Sequence, residues 1–339
     1  MMKSEPILTI GITSYKRIKE LERCINSVQT KYADDIEIIV SEDCSPLSRE
    51  IGEMVNNMAK ESKYELKFMP NEHNLGYDRN LGAIIKKSRG EYVFLMSDDD
   101  ALYEGFLDLL IPFIKQENNK QYGVIYAPFV KLNRKDRNYG HDMEIDKGEV
   151  NASKHIYDSI LFSGLIFKKD YVKDYDAEQF LNMNYYQVYM FLKMIYHYGG
   201  YYFAHPSVWC VEDGENAYGL SESSGGNALL ADRNSIISNL EFNKTLFKVI
   251  KKFDEEESTN VFESFEKQYS LHIYSAMSIA RKAGLSYYKE FWRKLKSLDI
   301  KLYPITKVYY CILLVMGSKV SDSLTGLGRR LLKHNERVA

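Results

Sequence analysis

The sequence predicts an α/β fold, in which a mixed, mostly parallel, Rossmann-like sheet is flanked by helices and followed by a helical C-terminal extension. Between residues 7 and 130, short apolar runs alternate with helical patterns, as in strands that are joined by helical crossovers. Beyond Leu229 the strand signals end, and apolar residues recur at helical spacing. We therefore predict two regions, residues 1–228 and 229–339.

The elements of the first region follow from their local patterns. Short runs rich in β-branched and apolar residues predict strands at residues 7–13, 36–40, 65–69, 92–96, 123–130, 161–167 and 208–211. Apolar residues that recur every three or four positions predict helices near residues 18–28, 48–61, 81–85, 106–114 and 183–198. Residues 131–147 are charged and loop-like, and residues 212–226 have the polar, glycine-rich composition of a lid or loop.

Composition narrows the class of protein. The formal net charge is -2, which argues against a nucleic-acid partner. The N-terminus lacks the apolar region of a signal peptide, and no stretch of about 20 apolar residues could span a membrane. The cysteines are far apart, as expected of free thiols in a reducing compartment: Cys24, Cys44, Cys210 and Cys311. We predict a cytoplasmic protein.

Three consecutive aspartates, Asp98, Asp99 and Asp100, follow the apolar run at residues 92–96. Carboxylates at the end of a buried strand repel one another unless a cation or hydrogen-bond donors collect there. Hard divalent ions such as Mg²⁺ or Mn²⁺ take oxygen ligands and usually arrive with a substrate phosphate. A helix N-cap is the alternative, but one aspartate is enough for a cap. The pattern therefore favours binding of a metal and a diphosphate.

Two further polar clusters follow predicted strands, at residues 13–17 and 42–45. Each cluster alone could be a cap or a turn, because Ser, Thr and Asp favour both. Parallel strands place their carboxyl ends at one edge of the sheet, where ligands bind. Three polar clusters at such ends predict a ligand-binding crevice.

The C-terminal residues carry a second feature. Residues 308–316 are intensely apolar, and residues 319–339 contain five Lys or Arg and two acids. An apolar helix beside a basic tail can lie on an anionic membrane. A core helix with a solvated tail fits equally well. Residues 303–339 are thus a candidate for peripheral membrane contact.

Four motifs in order and spacing resemble the family 2 glycosyltransferases. They lie at residues 10–17, residues 39–45, residues 74–82 (which include Asn74-Leu75-Gly76 and Arg79-Asn80-Leu81-Gly82) and residues 97–100. The resemblance covers about residues 6–130 and implies a GT-A fold and sugar transfer from a nucleotide donor. The Ser-Asp-Asp-Asp form is similar to a branch of abequosyltransferase-like and other surface-polysaccharide enzymes.

The resemblance implies a donor site with Mn²⁺ or Mg²⁺ and, by preference, a UDP-sugar. Asp43 would accept a hydrogen bond from a base N–H, and Arg79 would approach the base or the phosphates unless it only forms a surface salt bridge. Asp98 would meet the ribose or the metal, and Asp100 would be the direct metal ligand. The remaining donor-binding positions are Thr13, Tyr15, Arg17 and Asp99.

The general base is a departure from the family. Members invert configuration, and their base is usually an acid that opens the helix before the last sheet strands. Residues 182–187 contain no carboxylate here, and Gln187, at the usual position, cannot act as a base because it is an amide. Asp213 in the lid-like loop is the preferred replacement, and the other candidates are Glu212, Asp176, Glu178, His155 and His205.

The resulting hypothesis is an enzyme that adds sugar to a growing, lipid-linked surface glycan at the inner membrane face. The helical region would contact the acceptor, a membrane or a second copy of the chain. A sugar nucleotidyltransferase is an alternative, but residues 11–15 are not the glycine-rich, basic loop that it needs, and a dehydrogenase would need G-x-G-x-x-G after the first strand. The missing base keeps open a non-catalytic glycan-binding or scaffold protein.

Overall fold

A computed structural model describes residues 5–117, 121–131, 134–211 and 236–335. The strands in this part of the chain are β1 (Leu8–Ser14), β2 (Ile36–Glu42), β3 (Glu65–Pro70), β4 (Tyr92–Ser97), β5 (Asp100–Leu102), β6 (Val124–Tyr126), β7 (Phe129–Lys131), β8 (Arg134–Asp136), β9 (Met143–Ile145), β10 (Leu165–Lys168), β11 (Gly200–Tyr202) and β12 (Val208–Cys210). The helices are α1 (Ile18–Ser27), α2 (Ser48–Glu61), α3 (Tyr77–Lys87), α4 (Phe106–Glu117), α5 (Glu149–His155), α6 (Lys169–Val172), α7 (Tyr186–Tyr198), α8 (Ile236–Glu257), α9 (Val261–His272), α10 (Tyr274–Lys282), α11 (Leu285–Lys296) and α12 (Pro304–Asn335).

The main sheet has the strand order β3-β2-β1-β4-β10-β6-β11-β9. Strands β3, β2, β1 and β4 are parallel, and β10 lies antiparallel between β4 and β6. All residues of β2 are buried, because helices cover both faces of the sheet. The predicted mixed, mostly parallel sheet is confirmed.

A second, smaller sheet has the order β5-β12-β7-β8. The single strand predicted at residues 123–130 is therefore wrong, because Pro128 separates β6 in the main sheet from β7 in the small one. Proline has no N–H to donate to a ladder, so the chain changes sheets there. Residues 131–147, predicted as a loop, contain β8 and β9. The strand predicted at residues 161–167 begins only at Leu165, after Gly164 with φ 87°.

Helix α3 packs closely on β1. A β-carbon at Gly11 would overlap the Cγ2 atom of Ile84 on α3, so a larger residue would push the helix away from the sheet. This contact sets how closely α3 lies to the sheet, and the first turn of the same helix borders the candidate site described below.

The predicted helical extension is confirmed for residues 236–335. Helices α8 to α12 share one apolar cluster with the main sheet and α7, so that Phe191 of α7 belongs to the same core as Phe247 and Phe291. Buried Lys193 of α7 also pairs with two acids at the end of α8. The predicted boundary at residues 228 and 229 lies outside the described residues. None of the helices in the described part is both long and apolar enough to cross a bilayer.

A fully buried glutamate lies near the N-terminal end of β2, at the opposite end of the strands from the candidate site. The carboxylate of Glu37 on β2 accepts a hydrogen bond from Thr9 Oγ1 at 2.7 Å and from the backbone N–H of Arg89 at 2.6 Å. It also pairs with the Arg89 guanidinium at 3.0 Å and with Lys67 Nζ at 3.1 Å. Glu37 thereby joins β1, β2 and β3 to the chain that follows α3.

Candidate functional site

The structure brings together the three polar clusters that follow β1, β2 and β4. The N–H of Tyr15, after β1, donates to Asp98 Oδ2 at 3.1 Å, and the N–H of Asp43, after β2, donates to Ser14 O at 3.0 Å. The turns after β1 and β2 both pass through a non-glycine residue with positive φ, Lys16 at 64° and Cys44 at 52°. Because neither residue is a glycine, the sequence carries no glycine that would indicate these two turns.

Arg17 forms salt bridges with the first two of the three consecutive aspartates, Asp98 and Asp99. Its Nη1 atom lies 2.7 Å from Asp98 Oδ1 and 3.1 Å from Asp99 Oδ2. Burial raises the pKa of Asp98 from 3.8 to about 7, although the Arg17 charge opposes the shift. Both oxygens of Asp98 therefore already have partners on the loop after β1.

Asp100 has a different environment because it begins β5 and lies opposite Cys210 of β12. Its side chain is nearly fully buried and contacts Ser163 and Cys210. The Oδ2 atom is buried and has no hydrogen-bond partner. Burial, followed by the Asp99 charge, raises the pKa of Asp100 from 3.8 to about 7. A buried carboxylate oxygen without a partner is the position that a cation would satisfy.

The donor set fits a metal that is shared with a substrate. Within the described residues, no three or more His, Cys, Asp or Glu side chains converge as a complete metal cage. Mg²⁺ and similar ions are commonly held by one or two carboxylates together with substrate phosphates. Asp100 would supply the protein ligand, whereas Asp98 would have to give up its contact with Arg17 or Tyr15 before it could bind the ion.

Asp43 shapes the wall of the crevice beside α3. Its Oδ1 accepts the N–H of Leu75 at 2.7 Å, and its Oδ2 accepts the N–H of Gly76 at 2.9 Å. Burial raises the pKa of Asp43, and these N–H groups oppose the shift. Gly76 has φ 77° at the start of α3, a conformation that favours glycine. A carboxylate oxygen can accept more than one hydrogen bond, so a nucleotide base could share these atoms.

Arg79 lies on the first turn of α3, next to this wall. Its Nε donates to Leu75 O at 2.6 Å, and its Nη1 lies 3.6 Å from the exposed carboxylate of Glu178. In this structure Arg79 therefore has the helix-surface contacts that were the alternative to a donor contact. Asn80, also in the motif, bonds the side chain and carbonyl of Ser41 and fixes α3 to β2.

Gln187 is a structural residue in this arrangement. It is buried, its amide oxygen accepts from Tyr77 Oη at 2.9 Å, and its amide nitrogen donates to Ile160 O at 2.9 Å. An acid does meet the start of α7, but it comes from α3: Asp78 accepts the N–H groups of Asn184 at 2.9 Å and Tyr186 at 3.0 Å. Burial raises the pKa of Asp78 to about 6 against these bonds.

The other candidate bases that the structure describes lie in separate local environments, apart from Asp176 and Glu178, which are hydrogen-bonded to each other. Asp176 caps its own short turn by accepting the N–H of Glu178, and His205 lies exposed in the turn before Pro206. His155 is buried and shares its Nδ1 atom with Asp158 Oδ2 at 3.0 Å. Glu212 and Asp213 lie outside the described residues.

Sequence patterns missed two residues that support the trio. The Ser163 hydroxyl accepts the N–H of Ser97 at 3.1 Å and contacts Asp100. Arg137 donates to the carbonyl oxygens of Ser163, at 3.1 Å, and Leu161. Gly164, next to Ser163, was the available signal, because a glycine within a strand pattern can mark a close contact: a β-carbon at Gly164 would lie 2.5 Å from Ser207 Oγ. No sequence pattern pointed to Arg137.

Comparisons with known proteins agree with this geometry. Residues 9–180 match the family model described as Glycosyl transferase family 2. Abequosyltransferase RfbV of Salmonella typhimurium is 30% identical over 113 residues, which are 33% of this chain and 33% of that protein. The GalNAc(5)-diNAcBac-PP-undecaprenol beta-1,3-glucosyltransferase of Campylobacter jejuni is 30% identical over 122 residues, 36% of this chain and 38% of that protein. The match thus spans about a third of these curated relatives.

Among solved structures, the mannosyltransferase PcManGT from Pyrobaculum calidifontis, in complex with GDP-Man and Mn²⁺, has a similar fold. The TM-score is 0.51 at 16% identity, over 94% of this chain and 87% of that one. At this identity the likeness concerns the fold alone, and it confirms the predicted GT-A architecture.

Proposed function

Because the chain belongs to glycosyl transferase family 2, which its match over residues 9–180 shows, we propose that it transfers a sugar from a nucleotide diphosphate donor to a growing surface glycan. The observation that carries this proposal is the buried, unpartnered Oδ2 atom of Asp100 at the start of β5, three residues after β4. It is supported by the hydrogen bonds that join the chain after β1 to the neighbouring Asp98 and to the chain after β2.

Each site residue has a separate role in the proposed reaction. Asp100 would hold Mn²⁺ or Mg²⁺, which when bound neutralises the charge that develops on the leaving diphosphate. Arg17 and the N–H of Tyr15 fix Asp98 toward the ribose, and Ser163 orients Asp100. Asp43 and Thr13 border the base, for which we propose uracil. Preorganised groups of this kind need little rearrangement during the reaction.

A proton must also leave the acceptor hydroxyl. Both polar ends of Gln187 are occupied within the protein, which agrees with its inability to act as a base. We propose Asp213 as the general base, with Glu212 as its alternative, because Cys210 of β12 lies opposite Asp100 and these two acids follow Cys210 closely in the sequence.

A lipid-linked acceptor at the cytoplasmic membrane face is part of the same proposal. The Campylobacter jejuni relative is named for a glycan that is linked to undecaprenol. A non-catalytic glycan-binding protein is the alternative that the missing acid at residue 187 favours.

Slow hydrolysis of the donor without acceptor tests the proposal. We expect the chain to release UDP from a UDP-sugar in Mn²⁺ and to stop in EDTA, because a competent donor site transfers some sugar to water. A coupled assay for UDP, run over a panel of nucleotide sugars, measures this release. Absence of release from every donor would favour the glycan-binding alternative, and pyrophosphate release from UTP and a sugar phosphate would favour a nucleotidyltransferase.

The reactivity of the Cys44 thiol tests whether the nucleotide base binds beside Asp43. Cys44 and Cys311 are exposed, whereas Cys24 and Cys210 are buried, so a thiol reagent should modify two cysteines rapidly. UDP with Mn²⁺ should slow modification of Cys44 about tenfold, because Cys44 follows Asp43, and should leave Cys311 unchanged. Mass spectrometry of the labelled peptides distinguishes the two sites. Equal rates at Cys44 with and without nucleotide would place the base elsewhere.

A further inference from the structure

Helix α12 carries an apolar stripe on the side that faces away from the protein. Val308, Val315, Met316 and Val320 are exposed by 48%, 82%, 44% and 46%, and Cys311 is exposed between them. Val308, Cys311 and Val315 are three and four residues apart, so they lie on one face of the helix, and Met316 adjoins them. Val320 lies beyond Gly317, whose φ of 71° interrupts the helix. Apolar residues gathered on the exposed face of a helix, beside basic residues, are typical of helices that lie at a membrane interface.

The opposite face of α12 attaches the helix to the protein. Tyr310 stacks on Trp292 of α11, with ring centroids 4.3 Å apart, and Leu313 is fully buried. The Leu313 carbonyl accepts from Arg281 Nε of α10 at 3.0 Å. The stripe is thus held outward by a packed helix.

The charges around the stripe have one sign. Among the exposed residues between 304 and 323, the charged ones are Lys307 and Lys319. Asp322, on the same helix, is partly buried and pairs with Lys282 at 2.8 Å. The sequence from residue 319 to the end adds further basic residues, with five Lys or Arg and two acids in all.

We infer that this stripe docks the chain on an anionic lipid bilayer, with the part of α12 that precedes Gly317 lying in the plane of the interface. Apolar side chains enter the boundary of the acyl chains, and lysines beside them meet lipid phosphates. The inference rests on the proposed function in one respect: membrane docking would bring the donor site near a lipid-linked acceptor.

A second copy of the chain fits the stripe less well. The stripe from residue 308 to 316 is about 12 Å long and one helix wide, on the order of 120 Å². A stable dimer usually buries about 800 Å² on each partner. A two-fold contact through this narrow face would also bring lysines of both copies close together, where they would repel one another. An anionic surface would attract the same lysines.

Flotation of the full-length chain with vesicles tests the inference. We expect binding to vesicles of phosphatidylcholine and phosphatidylglycerol, weaker binding to phosphatidylcholine alone, and a decrease with salt. Val315→Asp should reduce binding at least about tenfold, and Lys319→Gln about fivefold. Val150→Asp is the matched control, because Val150 is 80% exposed on α5, and it should bind like the wild type.

Two outcomes would overturn the inference: failure of the wild type to float with anionic vesicles, and flotation that Val315→Asp leaves unchanged. If sedimentation instead shows that Val315→Asp converts a dimer into a monomer, while the wild type does not float, the stripe is an interface between copies. UDP release in solution should be unaffected by Val315→Asp. The membrane inference and the proposed function can therefore fail separately.

Discussion

Asp100→Asn should lower sugar transfer and UDP release by about a thousandfold, the loss typical of removing a group that stabilises a leaving charge. The amide keeps the size of the side chain but loses the negative charge on the buried oxygen that lacks a partner. Mn²⁺ should therefore tighten UDP binding by the wild type and not by the variant. Calorimetric titrations of both proteins, with and without Mn²⁺, measure this difference.

Asp100→Asn should be no less stable than the wild type, which separates lost activity from unfolding. Burial already disfavours the charged form of Asp100, so a neutral group of the same shape costs no more to bury. Asp170→Asn is the control, because Asp170 is exposed and pairs with Lys173 at 2.8 Å on the protein surface. Equal UDP affinities in all four wild-type and Asp100→Asn titrations would contradict the metal site.

Glu37→Gln should decrease the free energy of unfolding by about 3 kcal/mol, since removal of one partner from a buried charge network leaves the others uncompensated. The carboxylate is 0% exposed and accepts from Thr9, Arg89 and Lys67. The amide oxygen of glutamine can accept only some of these hydrogen bonds, and the amide NH₂ group would face the cationic side chains of Arg89 and Lys67. Urea unfolding at pH 7 measures the loss.

The difference between wild type and Glu37→Gln should depend on pH in a defined direction. Burial alone would raise the pKa of Glu37, but hydrogen bonds from the Arg89 backbone, Thr9 and Lys67 outweigh it and lower the pKa from its usual 4.5. A lowered folded-state pKa stabilises the protein above the pKa of the unfolded chain, and this contribution is lost as the pH falls through the folded value. The difference should thus be constant near neutrality and shrink below about pH 4.

Glu53→Gln provides the matched control for this series. Glu53 pairs with Arg49 at 2.9 Å, but its side chain is 62% exposed on α2. Exposed pairs contribute at most about 1 kcal/mol, so this variant should unfold close to the wild type at every pH. A loss at Glu37 as small as that at Glu53 would show that the buried network does not stabilise the sheet.

The sequence predicted the elements that have strong internal patterns. The helix expected at residues 48–61 is α2, Ser48–Glu61, because its apolar positions recur at helical spacing over its whole length. Strands β1, β2 and β4 were predicted within two residues at either end, since each is a continuous β-branched or apolar run. The clustering of polar residues after these strands also followed from the topology of parallel sheets.

Other elements depend on partners far along the chain. Strands β5, β7, β8, β9 and β11 have three residues each, too few for a period to appear, and they form because another strand lies beside them. Asp100 pairs with β12, more than 100 residues later, so its place in the small sheet had no local signal. The roles of Asp78 and Ser163 likewise come from contacts across the fold.

The link from Asp78 to the start of α7 has a mechanical consequence. Gly76, just before helix α3, donates its N–H to Asp43, and Asp78, two residues later, receives N–H groups from residues 184 and 186. Any shift of α3 that accompanies donor entry must carry the beginning of α7 with it, or break two buried bonds. The position of the first turn of α3 is thereby coupled to the position of the residues that begin α7.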